Sequence, residues 1–163
     1  MDRIARSFRL KEPSPFGASR KDSLTLLRSG PDSLDPHVIG DAASKFYAVQ
    51  IFGGLVALDQ DLSVTGDLAD NWDITGDGTE YIFHLRQGTV FHSGKRVTAQ
   101  DVKYSLERVA DPGIGSRGGA ALYLDDIAGF TERRAGMANQ VVGVEIIDEY
   151  TVRISLGIRC HTS

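Results

Sequence analysis

The chain has 163 residues, 41% of them hydrophobic and 25% charged, which is enough to bury the core of one globular domain. Its formal net charge of -4 argues against a nucleic-acid partner, because a protein that binds the phosphate backbone needs a basic surface. The single cysteine, Cys160, excludes an intrachain disulfide, and the sequence has no run of about 18 apolar residues that could span a bilayer.

The N-terminal part divides into a polar leader and a short apolar segment. Residues 1–22 carry six basic and three acidic residues but no central apolar run of the kind that a secretory signal needs, so we expect a disordered leader. The Arg- and Ser-rich composition leaves a transit peptide open as the alternative. Residues 23–29 (SLTLLRS) predict a buried strand, which the following Gly-Pro pair ends. Asp35-Pro36 marks a second turn, so a loop is predicted between the strand and this turn.

A helix is predicted next, over residues 41–52. Phe46, Val49 and Phe52 fall near one face of this helix, and the glycines at 53 and 54 end it.

The clearest local pattern is a β-hairpin over residues 72–86. Two strand-like runs flank TGDGT, a turn whose Asp-Gly pair tolerates positive φ. In the second run Tyr81, Phe83 and Leu85 alternate with mostly polar residues, so this aromatic face is predicted to meet the core.

A second helix is predicted to begin at Thr98. Asp101 follows three residues later in an arrangement close to a capping box, and apolar residues then recur at helical spacing until Asp111-Pro112 ends the helix. The glycine-rich residues 113–121 predict a loop, and residues 122–127 a short helix.

The C-terminal part predicts a second hairpin. Residues 141–148 and 150–156 are strand-like, and apolar residues alternate with polar ones along the second run. With the earlier elements, this makes the fold class mixed α/β with antiparallel hairpins.

The residues that could carry catalysis or hold a metal do not form a recognisable site. The four histidines lack the paired spacing of metal ligands: His37, His84, His92 and His161. The pairs Asp59/Asp61 and Asp125/Asp126 are near neighbours in sequence, whereas glycoside hydrolysis needs carboxyls that face each other, and the chain has no GxSxG elbow. The GIGSRGGA run lacks the Gly-Lys-Ser/Thr ending of a phosphate-binding loop. We therefore predict no catalytic residue, metal or cofactor.

Residues 68–109 nevertheless carry a long ordered pattern, LADNWDITGDGTEYIFHLRQGTVFHSGKRVTAQDVKYSLERV. It resembles the most recognisable segment of the family 5 bacterial solute-binding proteins, the dipeptide and oligopeptide receptors. Upstream, residues 24–36 resemble the opening strand and "LDP" loop of that family, and downstream GVEIIDEYTVRISL resembles its returning hairpin. The resemblance covers about residues 23–157.

The resemblance implies the N-terminal lobe of a two-lobed receptor that closes on its solute by hinge motion. It further implies a binding protein, not an enzyme, that acts outside the cytoplasm and delivers peptides or similar small solutes to an ABC permease. Nickel complexes, haem and oligosaccharides remain open as solutes.

The sequence departs from the family pattern at its ends and at one internal position. Members of the family continue into a second lobe, whereas the resemblance here stops after Leu156 and gives way to GIRCHTS; Gly53 stands where a glutamate is common. We therefore expect a truncated receptor with a leader at 1–22, a partial lobe at 23–157 and a tail outside the family at 158–163.

Two loops are predicted to line the solute cleft, because loops on a rigid scaffold usually supply ligand contacts. The residues are Ser29, Gly30, Pro31 and Asp32 in the first loop, and Ser116, Arg117 and Tyr123 in or beside the second. Ordinary surface turns fit the same sequence.

The alternative from another class is an inert or interaction module that self-associates through the exposed surface of the lobe. An acidic hydrolase ranks third, since it would need two converging carboxylates.

Overall fold

The computed structural model of the chain describes residues 30–114 and 120–157. The predicted leader, the strand predicted over 23–29 and the C-terminal tail lie outside these described residues. Within them, no helix has the length and apolar character needed to cross a membrane.

The described residues form short helices and antiparallel strands. In chain order they are α1 (Ala42–Ile51), β1 (Val56–Leu58), β2 (Val64–Gly66), β3 (Ala69–Thr75), β4 (Glu80–Leu85), α2 (Ala99–Val109), α3 (Ala120–Leu124), α4 (Phe130–Arg134), β5 (Val144–Asp148) and β6 (Thr151–Ser155). The mixed α/β prediction with antiparallel hairpins is confirmed.

The central feature is a four-stranded antiparallel sheet with the strand order β3-β4-β6-β5. Its β3–β4 hairpin turns through Gly76, Asp77 and Gly78, all of which have positive φ. This confirms the hairpin predicted over 72–86, and the Asp-Gly pair supplies the left-handed conformations as expected. The hairpin predicted at the C-terminal end is β5–β6, in which Val144 pairs with Ile154.

The two faces of the sheet differ in chemistry. On one face Trp72 and Phe83 are cross-strand partners with ring centroids 6.4 Å apart, and Tyr81 stacks on Phe83 at the same distance. Phe83 packs against the core, which confirms the predicted direction of the aromatic face. The opposite face carries polar contacts between neighbouring strands: His84 hydrogen-bonds Asp73, and Arg153 forms an ion pair with Glu145.

Helix α2 packs against β5 and β6 on the apolar face of the sheet. The Thr98 backbone N–H donates to Asp101 Oδ2 over 3.0 Å, which is the capping-box contact predicted for this helix start. Val102 and Val109 are buried against the sheet as their spacing predicted. The other buried members of the core are Leu85, Ala99, Ala110, Ala121, Ile127, Phe130, Val141, Val144, Val152 and Ile154.

Three chain segments cross at Gly143 with almost no space between their backbones. Gly143 N–H donates to the Ala128 carbonyl (2.8 Å), Ser155 N–H donates to the Gly143 carbonyl (2.8 Å), and Ala128 N–H donates to the Ser155 carbonyl (3.0 Å). A Cβ at Gly143 would lie 2.7 Å from both of those neighbouring carbonyl oxygens, so only glycine fits.

The structure corrects the predicted inward face of α1. The helix is present within the predicted bounds, but its buried residues are Ser44 and Ala48, whereas Val49 is 69% exposed and Phe52 is 47% exposed. The buried face is made of small residues because the preceding loop lies directly against Ser44.

Four elements, α3, β1, β2 and α4, differ from the predictions or were missed. The helix predicted over 122–127 begins at Ala120 and ends at Leu124, because Ile127 instead forms an isolated β-bridge with Leu156. The two-stranded ribbon β1–β2 was not predicted, since all six of its residues are exposed and no alternating pattern marks it. Helix α4 was not predicted either.

Candidate functional site

The first predicted site loop, residues 29–32, leads into a compact turn built around Asp35. Asp35 Oδ1 accepts a hydrogen bond from the His37 N–H (3.1 Å), and the Asp35 carbonyl accepts from the N–H groups of Val38 (3.1 Å) and Ile39 (3.2 Å). A carboxylate that bonds the backbone two residues later is the usual organiser of such a turn. We call residues 30–40 the Asp35 loop.

Helix α2 holds this loop through Arg108. Its Nη1 donates to Asp35 Oδ1 (2.8 Å) and its Nη2 donates to Asp35 Oδ2 (2.6 Å), a bidentate pair whose side chains are about one-third exposed. The hydrogen bond from Arg108 holds the pKa of Asp35 well below its usual range, although burial acts in the opposite direction. The carboxylate therefore stays charged at neutral pH.

His37 adds a second link from the loop to α2. Its Nε2 donates to the Ser105 carbonyl over 3.2 Å, because a backbone carbonyl can only accept. Its Nδ1 lies 3.0 Å from Asp35 Oδ1 and also contacts Arg108 Nη1. The imidazole thus fills the space between the turn and the end of the helix.

The other side of the loop rests on α1. Ser44 Oγ accepts from the N–H of Asp32 over 3.0 Å, and the Ser44 N–H donates to the N-cap carboxylate of Asp41 over 2.7 Å. These bonds to Ser44 hold the pKa of Asp41 below its usual value. Asp32, near the N-terminal end of the loop, is therefore hydrogen-bonded to the first turn of α1.

The predicted site residues fall into two groups. Gly30, Pro31 and Asp32 lie at the open end of the Asp35 loop, where Gly30 and Asp32 are exposed and Pro31 is half-buried. Tyr123 lies on α3 and is 85% exposed. The remaining predicted site residues, Ser29, Ser116 and Arg117, lie outside the described residues.

A second concave feature was not predicted from the sequence. It is a groove of about 530 Å³ between the end of α1 and one side of α2, lined chiefly by apolar residues that include Phe52, Phe91 and Leu106. At its edge Lys95 Nζ lies 2.6 Å from Asp101 Oδ1 and 5.8 Å from the centroid of the Phe91 ring. Burial raises the pKa of Asp101, but bonds from Lys95 and Thr98 outweigh it and the net shift is downward. Of the predicted site residues that the structure describes, Gly30, Pro31, Asp32 and Tyr123, none lines this groove.

The link between the loop and α2 could be predicted only in part from the sequence. Asp35-Pro36 indicated a turn, and Arg108 belonged to the matched family pattern, but no spacing joins residues that lie 73 positions apart. A polar residue on the last turn of an otherwise amphipathic helix is commonly solvated, so pattern alone does not identify a pair.

Comparison with known proteins gives a consistent set of relatives. The model for bacterial extracellular solute-binding proteins, family 5 Middle, matches residues 63–157. The periplasmic oligopeptide-binding protein OppA of Escherichia coli is 34% identical over 146 residues, 87% of this chain and 27% of that protein. The glutathione-binding protein GsiB of Pectobacterium atrosepticum is 30% identical over 143 residues, 88% of this chain and 24% of that protein.

A solved structure shares the fold. The crystal structure of Haemophilus influenzae OppA in complex with the peptide RPPGFSPFR superposes with a TM-score of 0.73 and 27% identity, over 78% of this chain and 25% of that one. The chain therefore spans about a quarter of the length of these relatives.

Proposed function

Because this chain belongs to the bacterial extracellular solute-binding proteins of family 5, we propose that it forms part of a receptor that captures a peptide or a similar small solute for an ABC importer. The match over residues 63–157 is the observation that carries this proposal. Relatives named for oligopeptide and glutathione binding make a peptide-like solute the first choice. The chain acts by binding and not by catalysis, as its relatives' names describe binding proteins.

The structure is consistent with a rigid scaffold that carries the solute-contacting loops. The four-stranded sheet and α2 form one packed core. Four of the proposed contact residues lie outside that core: Gly30, Pro31, Asp32 and Tyr123. Ser29, Ser116 and Arg117, which fall outside the described residues, complete the proposed set. Among them, exposed Gly30 and Asp32 offer backbone groups, which suit a site that recognises peptide main chain with little dependence on side-chain identity. Exposed Tyr123 offers an aromatic contact.

The remaining parts of the receptor's activity follow from the family. Relatives are periplasmic by name, so we place the working protein in the periplasm or an equivalent extracytoplasmic space. The chain spans about a quarter of those relatives, and the opposite wall of the cleft and the surface that meets the permease belong to the parts beyond this match.

Titration of the isotope-labelled 163-residue chain with the nonapeptide RPPGFSPFR, followed by amide NMR, tests the proposal. We expect saturable shifts of the Gly30, Asp32 and Tyr123 amides, with a Kd on the order of 1 mM because only part of the cleft contacts the peptide. Tyr123→Ala should weaken binding at least about threefold, since it removes an exposed aromatic contact. Tyr104→Ala is the matched control, because Tyr104 is also exposed (64%) but lies on α2. Absence of any saturable shift at several times the expected Kd contradicts the proposal for this chain.

Exposed apolar residues on the β1–β2 ribbon favour self-association as a second candidate function. Val56, Leu58 and Val64 lie on one side of the paired strands, with Leu58 63% exposed and Val64 55% exposed. Apolar patches of this kind frequently mark contact surfaces. Sedimentation velocity distinguishes the alternatives: a concentration-dependent dimer that Leu58→Lys abolishes supports self-association, and a monomer at every concentration argues against it.

A further inference from the structure

The Asp35 loop takes its position from a helix that lies far away in sequence. Arg108 donates two hydrogen bonds to Asp35, and His37 bonds the Ser105 carbonyl, so both links end on the last turns of α2. That helix is itself fixed, because Val102 and Val109 are buried against the sheet. The side chains of Arg108 and His37 therefore connect the loop to the packed core.

The bidentate geometry of the Arg108–Asp35 pair sets the orientation of the loop as well as its distance from α2. A planar guanidinium that holds both oxygens of a carboxylate fixes the plane of that carboxylate. The Asp35 carboxylate and carbonyl in turn accept the N–H groups of His37, Val38 and Ile39. Ile39 is only 7% exposed, so the turn that Arg108 orients is also anchored in a buried position.

The open end of the loop is linked to this anchor over a short distance. Asp35 N–H donates to Ser33 Oγ over 3.1 Å, and the N–H groups of Asp32 and Ser33 point at Ser44 Oγ over 3.0 and 3.4 Å. Three hydrogen bonds, which run through Ser33 and Ser44, therefore link the orientation of Asp35 to that of Asp32. Asp32 is exposed and is one of the proposed solute contacts.

We propose that Arg108 is the positioning residue of the solute-binding loop. Its two hydrogen bonds to Asp35 hold the backbone groups of Gly30–Asp32 in a fixed position relative to the packed core of α2 and the sheet. The inference rests on the proposed function for its biological meaning, but the mechanical part stands on the contacts alone. Lysine in place of Arg108 keeps the charge and loses the fork, so it should not restore the loop's order.

Amide hydrogen exchange of the full 163-residue chain tests the mechanical part. In Arg108→Lys and Arg108→Met we expect the exchange of the Asp32, Val38 and Ile39 amides to accelerate about tenfold more than that of the β4 and β6 amides, whose smaller acceleration reports the loss of global stability. Asp35→Asn should give the same pattern, and its effect should not add to that of Arg108→Met, because both remove one shared contact.

Arg86→Met is the matched control. Arg86 also bonds an aspartate, Asp70, over 2.8 Å, but this pair is about half exposed and lies at the edge of the sheet. The Arg86→Met substitution should leave the amide exchange rates of the Asp35 loop unchanged. Loop amides that do not accelerate in the Arg108 variants overturn the inference. So do amides that accelerate equally in loop and sheet, because Arg108 would then act only on global stability.

Binding of RPPGFSPFR provides the second readout and separates the two hypotheses. If the wild type binds, Arg108→Lys should weaken binding about tenfold at a temperature where circular dichroism shows the variant fully folded, whereas Arg86→Met should not. Unchanged affinity with a loosened loop overturns the positioning role. If the wild-type chain does not bind the peptide, the proposed function fails for this chain, and the exchange data still decide whether Arg108 orders the loop.

Discussion

Replacing Gly143 with alanine should destabilise the fold far more than its small size suggests. The added Cβ would lie 2.7 Å from the carbonyl oxygens of both Ala128 and Ser155 and 2.8 Å from the Ala128 nitrogen. Ordinary carbon–oxygen contacts begin near 3.3 Å, so the three segments must separate by about 0.5 Å. None of these contacts is the flexible end of a side chain, and the backbone has to move.

The cost follows from the bonds that this movement disturbs. Three backbone hydrogen bonds meet at the crossing of Gly143, Ala128 and Ser155. Weakening them at about 1 kcal/mol each, together with about 1 kcal/mol or more of overpacking, gives about 3–5 kcal/mol. For a chain of this size, that corresponds to a fall in melting temperature of about 10–15 °C.

Thermal and urea unfolding of Gly143→Ala, followed by circular dichroism, measure this loss. Gly136→Ala is the control, because Gly136 has φ of +73° but nothing within 4 Å of an added Cβ. That variant should lose only about 1–2 kcal/mol from the left-handed backbone. Equal losses in the two variants, or a melting temperature of Gly143→Ala within 3 °C or so of the wild type, would refute the steric reasoning.

Three further predictions concern the core, the helix start and the response to acid. Phe130→Ala removes a fully buried ring and should cost about 3–5 kcal/mol, measured as a lower urea midpoint. Thr98→Ala removes the hydroxyl of the α2 N-cap and should cost about 1 kcal/mol in the same assay, without a change in the slope of the transition. Because Arg108 lowers the pKa of folded Asp35, the pair stabilises the protein above about pH 4 and loses this contribution as the pH falls further. Urea unfolding at pH 7 and pH 3 should therefore show a larger acid loss for the wild type than for Arg108→Met; equal losses argue against the pair.

Elements fixed by neighbouring residues could be predicted from the sequence. The Asp77-Gly78 turn supplies its own positive φ values, and the Thr98-to-Asp101 contact spans only three residues, so each signal is complete within a short window. The β3–β4 hairpin and helix α2 were predicted for this reason.

Features that depend on distant contacts could not be predicted in the same way. Strand β4 pairs with β6 as well as with β3, and the register of Phe83 opposite Val152 depends on how the whole sheet assembles. The inward face of α1 depends on the loop that lies against Ser44, so the apolar residues of the helix predicted the wrong face.

The candidate site shows the same limit. The sequence indicated a loop at Gly30–Asp32 because glycine and proline mark turns, and the structure describes that segment as irregular backbone. The ion pair of Asp35 with Arg108 depends on the folded position of α2, and neither residue carries a local pattern that announces a partner. Their role therefore emerged only from the contacts.

The strand order also constrains how the molecule is built during translation. Strand β4 lies in the middle of the sheet, yet its second neighbour, β6, is the last strand in the described part of the chain. The hairpin that carries Trp72 and Phe83 emerges from the ribosome well before the segment that completes its hydrogen bonding. Until Thr151–Ser155 is synthesised, one edge of β4 and the aromatic side chains beside it lack their final neighbours. A nascent chain of this topology is expected to benefit from a chaperone during that interval.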